Sequence, residues 1–210
     1  TAVADITVAQ AIDTGGGEFQ YVFAPSGGAG VLSGFDVGTM VAVYLDNTPD
    51  LNVINATCGS QANCLALAGL GETDGSSLFL TAGFFGDDDA LWISSSLSGG
   101  ANLTTVETGG SSTKFGSFNF ALDLGINNTG KLLGEQSCAP FCGIGGDGMI
   151  EITGSGDILG GQGLDAGVWT ARSDADFQVV PVPEPETLAL LGLGLVGLFG
   201  RSLRRRNTAA

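Results

Sequence analysis

Glycine-rich turns that separate short alternating runs are the feature that most restricts the fold of this chain. Glycine supplies 36 of its 210 residues, and turn clusters that contain glycine lie at 14–17, 26–30 and 127–130. Between these clusters apolar and polar side chains alternate, most clearly in the run 118–124 (FNFALDL). Successive side chains of a β-strand point to opposite faces. Each run therefore predicts a short strand with one apolar face.

The same alternation recurs along the chain, whereas helix-forming residues are scarce. Charged residues make up only 14% of the sequence, which disfavours a helical bundle. Further alternating runs lie at 6–8, 19–23, 41–45, 150–152 and 177–179. Strands at this spacing predict an all-β fold, a single antiparallel β-sandwich with a jelly roll as the near alternative. The predicted domain comprises residues 1–180.

The C-terminal thirty residues have a different composition. A proline-rich stretch at 181–187 cannot continue a helix, and the apolar segment 188–200 predicts a short hydrophobic, transmembrane-like helix. A basic tail at 201–210 follows. The apolar run is about 18 Å long as a helix, against a bilayer core of roughly 30 Å, so the span is predicted to be short and temporary.

This tail resembles the PEP-CTERM sorting signal of Gram-negative bacteria. The resemblance places the sorting motif at Pro183, Glu184 and Pro185, and the membrane stop signal at Arg201, Arg204, Arg205 and Arg206. It implies export across the inner membrane after removal of a signal peptide, with Thr1 as the mature N-terminus. It also implies transient insertion of the tail into the inner membrane and processing by an exosortase, a membrane cysteine transpeptidase. The expected destination is the cell surface or the extracellular matrix.

The predicted domain is strongly acidic. Two of the 22 acidic residues and four of the 7 basic ones lie beyond Val180, so residues 1–180 carry a net charge of −17. Such a surface repels nucleic acid and anionic lipid, and neither is expected as a partner of the domain. It attracts divalent cations.

Four cysteines form two close pairs, Cys58 with Cys64 and Cys138 with Cys142. An exported protein with an even cysteine count favours disulfides, and four cysteines allow three connectivities. Proximity favours the two local pairs. A zinc site made by four thiolates is the alternative, although it usually requires closer cysteine spacing.

The chain contains no histidine, which excludes catalysis by Ser-His-Asp or Cys-His groups and leaves only pairs of carboxylates, as in glycoside hydrolases. We therefore expect a protein that is not an enzyme. No cofactor is expected other than Ca²⁺, for which the adjacent carboxylates of Asp87, Asp88 and Asp89 are the candidate ligands. The alternative for these three residues is a solvated turn.

Two tryptophans are candidates for a sugar-binding platform. Trp92 lies in an apolar context that favours the core, whereas Trp169 lies beside polar residues and is the candidate for glycan binding.

Two functions follow from the sequence. The first is a non-enzymatic surface or matrix protein, structural or adhesive in an exopolysaccharide or biofilm context. Its self-assembling form would use the segment 5–11 as a pairing edge. The alternative is a carbohydrate-binding module, or a carboxylate-based glycoside hydrolase, that acts on matrix polysaccharide.

Overall fold

The computed structural model describes residues 2–28, 30–45, 77–95, 97–98, 114–159 and 172–183, together with Leu190, Leu191, Leu193 and Leu195. Strands dominate these residues, in agreement with the predicted all-β class. They are β1 (Ala2–Ala4), β2 (Ile6–Gly15), β3 (Glu18–Pro25), β4 (Thr39–Leu45), β5 (Ser77–Gly83), β6 (Leu91–Ser94), β7 (Leu97–Ser98), β8 (Lys114–Asn127), β9 (Leu133–Gly134), β10 (Gln136–Ser137), β11 (Met149–Ile150), β12 (Ile152–Leu159) and β13 (Arg172–Pro181).

The strands form two antiparallel sheets that share the long strand β8. The first sheet has the order β1-β4-β5-β8, and the second has the order β2-β3-β6-β8-β12-β13. Strand β5 pairs with β8 between Asp123 and Asn127, whereas β6 and β12 pair with its preceding half. Short strands β7 and β9 extend β3 and β13, and β10 pairs with β11. The predicted antiparallel sandwich is thus confirmed.

The largest buried apolar cluster of the described residues is built from both sheets. Its buried members come from both of them: Phe23, Met40, Leu80, Ala82, Trp92, Phe118, Phe120, Leu122, Ile152 and Ile158. Full burial of a large apolar side chain contributes roughly 1.5–3 kcal/mol, so these residues supply the main driving force for folding. The three phenylalanines Phe23, Phe118 and Phe120 surround Trp92, with ring centroids 5.3–6.1 Å from the indole.

Strand β8 differs from the prediction because both of its faces are buried. The alternation in 118–124 predicted one apolar face and one solvent face. On the second face Ala121 is fully buried against Cys138 and Ile150, and Asp123 is only 6% exposed. The segment that follows β10 covers this face, and the sequence pattern of a single strand does not report such a cover.

The hairpin that joins β2 to β3 shows why glycine is needed in the turns. Gly15, Gly16 and Gly17 have φ angles of 91°, 68° and 84°, a left-handed conformation that other residues rarely adopt. The Asp13 side chain accepts a hydrogen bond from the Gly15 amide at 2.8 Å and supports the turn. The predicted turn cluster 14–17 is therefore a tight hairpin between two long strands.

The last strand ends where the proline-rich stretch begins. β13 includes Pro181, and the amide of Val182 still donates to the Leu132 carbonyl at 2.8 Å. The four described leucines beyond it have helical backbone and exposed side chains. Within the described part of the chain, no helix is long and apolar enough to cross a membrane. The remainder of the predicted helix 188–200 lies outside the described residues.

Candidate functional site

The acidic turn between β5 and β6 does not present three solvated carboxylates. Asp89 is only 2% exposed, and its Oδ2 accepts hydrogen bonds from the amides of Gly148 at 2.8 Å and Met149 at 3.3 Å. Its own amide donates to Oδ1 of Asp87 at 2.9 Å. Hydrogen bonds between backbone amides and a carboxylate are stronger than neutral ones. Asp89 is thus a structural anchor for the loop that precedes β11.

That loop, residues 138–148, packs closely on the acidic turn. The Gly143 amide donates to the Asp89 carbonyl at 2.8 Å. A Cβ atom at Gly143 would lie 2.0 Å from the Asp88 carbonyl oxygen, and one at Gly146 would lie 2.2 Å from the Asp89 carboxylate. Both glycines are therefore required by the close approach of the two segments.

A disulfide between Cys138 and Cys142 closes the start of this loop, with the two Cα atoms 5.2 Å apart. The peptide bond between Ala139 and Pro140, inside the closed ring, is cis. This pairing confirms the predicted local disulfide. The other predicted pair, Cys58 and Cys64, lies outside the described residues.

The disulfide between Cys138 and Cys142 limits the capacity of these residues to bind a metal ion. Oxygen of Asp89 and the sulfurs of Cys138 and Cys142 lie within 4.8 Å of one another, but sulfurs joined in a disulfide are not thiolate ligands. The zinc alternative is therefore wrong for this cysteine pair.

The three predicted Ca²⁺ ligands differ in their exposure. Asp87 and Asp88 are exposed, whereas Asp89 is buried. The Ca²⁺ site stays a prediction, tested by whether millimolar Ca²⁺ raises the melting temperature and whether Asp88→Ala abolishes that rise.

Asp123 is a buried carboxylate that the sequence interpretation missed. It lies on β8, and its Oδ2 accepts hydrogen bonds from the amides of Phe85 and Asp87 in the acidic turn. Its Oδ1 is buried and has no hydrogen-bond partner among the described residues. The only available signal was its place on the polar side of an alternating run, which suggested solvent exposure.

Burial raises the pKa of the Asp123 carboxyl group above its ordinary value. Hydrogen bonds from the amides of Phe85 and Asp87 act against this increase, and the nearby Asp87 carboxylate adds to it. Desolvation of the ionised form is the dominant cause. Asp123 thus connects the acidic turn to the shared strand β8 through these hydrogen bonds. Its ionised form is destabilised by the loss of water around the carboxylate.

Of the two tryptophans considered for glycan binding, the structure describes only Trp92. Trp92 is 5% exposed and packed among aromatic rings, so the prediction that it belongs to the core is confirmed. Trp169 lies outside the described residues.

The exit of the tail from the domain is a two-stranded ribbon of β13 and β9. Val180 lies opposite Gly134, and Pro181 lies opposite Leu133. A Cβ atom at Gly134 would lie 2.7 Å from the Val182 side chain, which covers this glycine. Of the predicted sorting motif, Pro183 is described and exposed. Glu184, Pro185 and the four arginines lie outside the described residues.

These observations define an acidic antiparallel β-sandwich whose last strand leads directly into a proline motif. The family model described as the PEP-CTERM protein-sorting motif matches residues 181–206. No curated protein and no solved structure matches the chain. The chain therefore carries a PEP-CTERM sorting motif, as its sequence predicted. The motif implies export, anchoring of the C-terminal segment in the membrane before processing, and processing by an exosortase.

Proposed function

We propose that this chain is a non-enzymatic protein of the cell surface or extracellular matrix, with a structural or adhesive role among exopolysaccharide in a biofilm. The observation that carries the proposal is the sorting motif, which begins at Pro181, the last residue of the final strand of the domain. Exosortase processing at this position separates an intact sandwich from its membrane segment. The functional unit is then the acidic domain, residues 1–180.

The composition and the burial of polar groups support a role without catalysis. The chain has no histidine. Two of its buried carboxylates, Asp89 and Asp123, accept backbone hydrogen bonds that hold loops in place. Carboxylates used in this way are structural elements rather than the paired acid and base of a glycosidase.

Two edge strands of the second sheet support the self-association part of the proposal. In the described part of the chain β2 pairs only with β3, and the outer side of β13 pairs with β9 only at Val180 and Pro181. Unpaired strand edges are templates for pairing with another chain. Strand β2 carries one charged residue, Asp13, and no lysine, arginine or proline.

We infer that β2 in one copy pairs with β13 in the next, and the charges disfavour contact between two β13 strands. Strand β13 carries Asp174 and Asp176, so a pair of two β13 strands would place acidic side chains against one another. The pairing of β2 with β3 has register shifts between Val8 and Gln10 and between Asp13 and Gly15, and the first of these lies within the edge segment predicted at 5–11. Contact of two different edges is heterologous and generates rings or open filaments rather than closed dimers.

Cell fractionation with intact-mass measurement under non-reducing conditions tests the proposed destination. We expect a species in the surface fraction or the medium that ends near 183–187 and is lighter by about four hydrogens than the reduced mass, two for each disulfide. A full-length species confined to the inner membrane would contradict release to the surface.

Glycan binding provides the test of the proposed role. In affinity electrophoresis with the matrix polysaccharide, a structural subunit without a sugar site should give the same mobility for the wild type and for Trp169→Ala. Retardation that the substitution abolishes would replace the structural role with that of a carbohydrate-binding module.

A further inference from the structure

The surface beside the tail exit carries three exposed apolar side chains on one face of the β9–β13 ribbon. Residues that lie opposite each other in an antiparallel pair share a face, and so do residues two apart in a strand. The pairs of Val180 with Gly134 and of Val182 with Leu132 place Leu132, Val180 and Val182 together. Leu132 is 59% exposed and Val182 is 42% exposed. We call these three residues the exit patch.

The short stretch of chain between the exit patch and the apolar segment limits the distance of the patch from the membrane during processing. Val182 is held to Leu132 by a backbone hydrogen bond of 2.8 Å, and the apolar run begins six residues later, at Leu188. An extended chain spans at most about 3.6 Å per residue, so this tether reaches about 20 Å. A compact domain of 180 residues has a radius of gyration of about 16 Å. While the apolar segment is in the membrane, the exit patch therefore lies within about 20 Å of the start of that segment, a distance comparable to the radius of the domain itself.

A processing enzyme that acts on the proline motif consequently works next to the exit patch. Pro183 follows Val182 directly, and its backbone emerges from the ribbon rather than from a long linker. The domain surface around Leu132 is then within contact distance of any protein that encloses residues 183–187. Lipid is the less suitable neighbour, because the net charge of −17 on residues 1–180 opposes adsorption to an anionic membrane.

We propose that the exit patch is a docking surface for the membrane-embedded exosortase, so that the folded domain as well as the tail takes part in recognition. This inference rests on the proposed export and processing of the chain. It adds Leu132 and Val180, which lie outside the matched residues 181–206, to the determinants of processing. A partner that covers Leu132, Val180 and Val182 removes their exposed apolar surface from water, and this burial favours the contact.

The first test is the rate at which the full-length precursor is processed in membranes that contain the exosortase, followed by pulse–chase and intact mass. Leu132→Ser is the primary variant because its side chain is exposed and lies outside the sorting motif. A contact worth more than about 1 kcal/mol corresponds to a rate at least about fivefold lower. Val37→Ser is the matched control, because Val37 is 67% exposed and lies in the turn before β4; it should be processed at the wild-type rate.

The outcomes separate this inference from the proposed function. If the wild-type precursor is not processed at all, the export and processing proposal fails. If the wild type is processed and Leu132→Ser is processed equally fast, the docking surface is wrong while the processing proposal stands. Equal melting temperatures of the two variants exclude unfolding as the cause of a slower rate.

A photocrosslinking experiment identifies the neighbour directly. The residue p-benzoylphenylalanine is placed at position 132 or, as a control, at position 37 of the full-length precursor, in cells with a catalytically inactive exosortase. We expect a crosslink to the exosortase from position 132 and none from position 37. Crosslinks from position 132 to lipid alone, or equal crosslinks from both positions, would overturn the proposal.

Discussion

At the residue scale, the two buried carboxylates beside the acidic turn show what a local pattern leaves undetermined. Asp89 is the third of three consecutive aspartates, predicted to bind Ca²⁺ or to lie in a solvated turn, and Asp123 lies on the polar side of an alternating run. Their burial depends on contacts with distant segments, to Gly148 in one case and to Phe85 in the other. The periodicity of one strand does not contain this information. Gly148 lies 59 residues from Asp89 along the chain, and Phe85 lies 38 residues from Asp123.

Replacement of Asp123 by asparagine is expected to change how stability depends on pH. Because burial raises the pKa of Asp123 in the folded state, the folded protein binds more protons than the unfolded chain between the ordinary value of about 3.9 and the raised value. The contribution of Asp123 is therefore most favourable below that window and is lost as pH rises through the folded pKa. Melting temperatures at several pH values measure this effect.

In these melts the wild type should lose stability relative to Asp123→Asn as the pH increases from the acid range to neutrality. Asp36→Asn, at an exposed position in the turn before β4, is the control for general charge effects. Parallel curves for the wild type and Asp123→Asn would contradict the proton linkage.

Asp89→Ala is expected to destabilise the domain by about 1–3 kcal/mol, because it leaves the Gly148 amide without its carboxylate acceptor. The Met149 amide keeps a second acceptor, Oδ1 of Asp147 at 3.0 Å, which limits the loss. Asp88→Ala, at the exposed neighbouring position, should change stability by no more than about 0.5 kcal/mol. Denaturant unfolding of the two variants measures the difference, and equal midpoints would show that Asp89 is not an anchor.

At the scale of the strand, the sequence predicted the elements better than their arrangement. The runs 19–23, 41–45 and 118–124 all lie within observed strands, β3, β4 and β8, because period-two alternation is a local property. The order of strands in the sheets, and the participation of β8 in both of them, arise from long-range pairing. The alternation of apolar and polar residues identifies a strand but does not show which other strand it pairs with.

The two edge strands allow a matched test of self-association. Ala11→Lys on β2 and Ala175→Lys on β13 place the same charge on exposed positions of opposite edges, and an edge lysine opposes strand addition. If β2 of one copy pairs with β13 of the next, neither variant alone should form the assemblies measured by light scattering. In a mixture, the unmodified β13 of Ala11→Lys can still pair with the unmodified β2 of Ala175→Lys, so the mixture should form dimers only. Loss of assembly in one variant but not in the other would contradict the heterologous contact, and a wild type that is monomeric at high concentration would rule out assembly.

At the scale of the whole molecule, the domain and the tail are expected to be energetically separable just after Val182. The main core includes Val179 as a partly buried neighbour, and the Val182 amide donates to Leu132. A chain that ends at Pro183 retains both features and should melt within about 2 °C of the full-length protein. A chain that ends at Gln178 loses the Val179 contact and the ribbon with β9, at a cost of about 2 kcal/mol or roughly 4–8 °C for a domain of this size. Calorimetry on the two truncations locates the boundary: if the longer one also melts early, the tail stabilises the sandwich, and exosortase processing would release a weakened domain rather than an intact one.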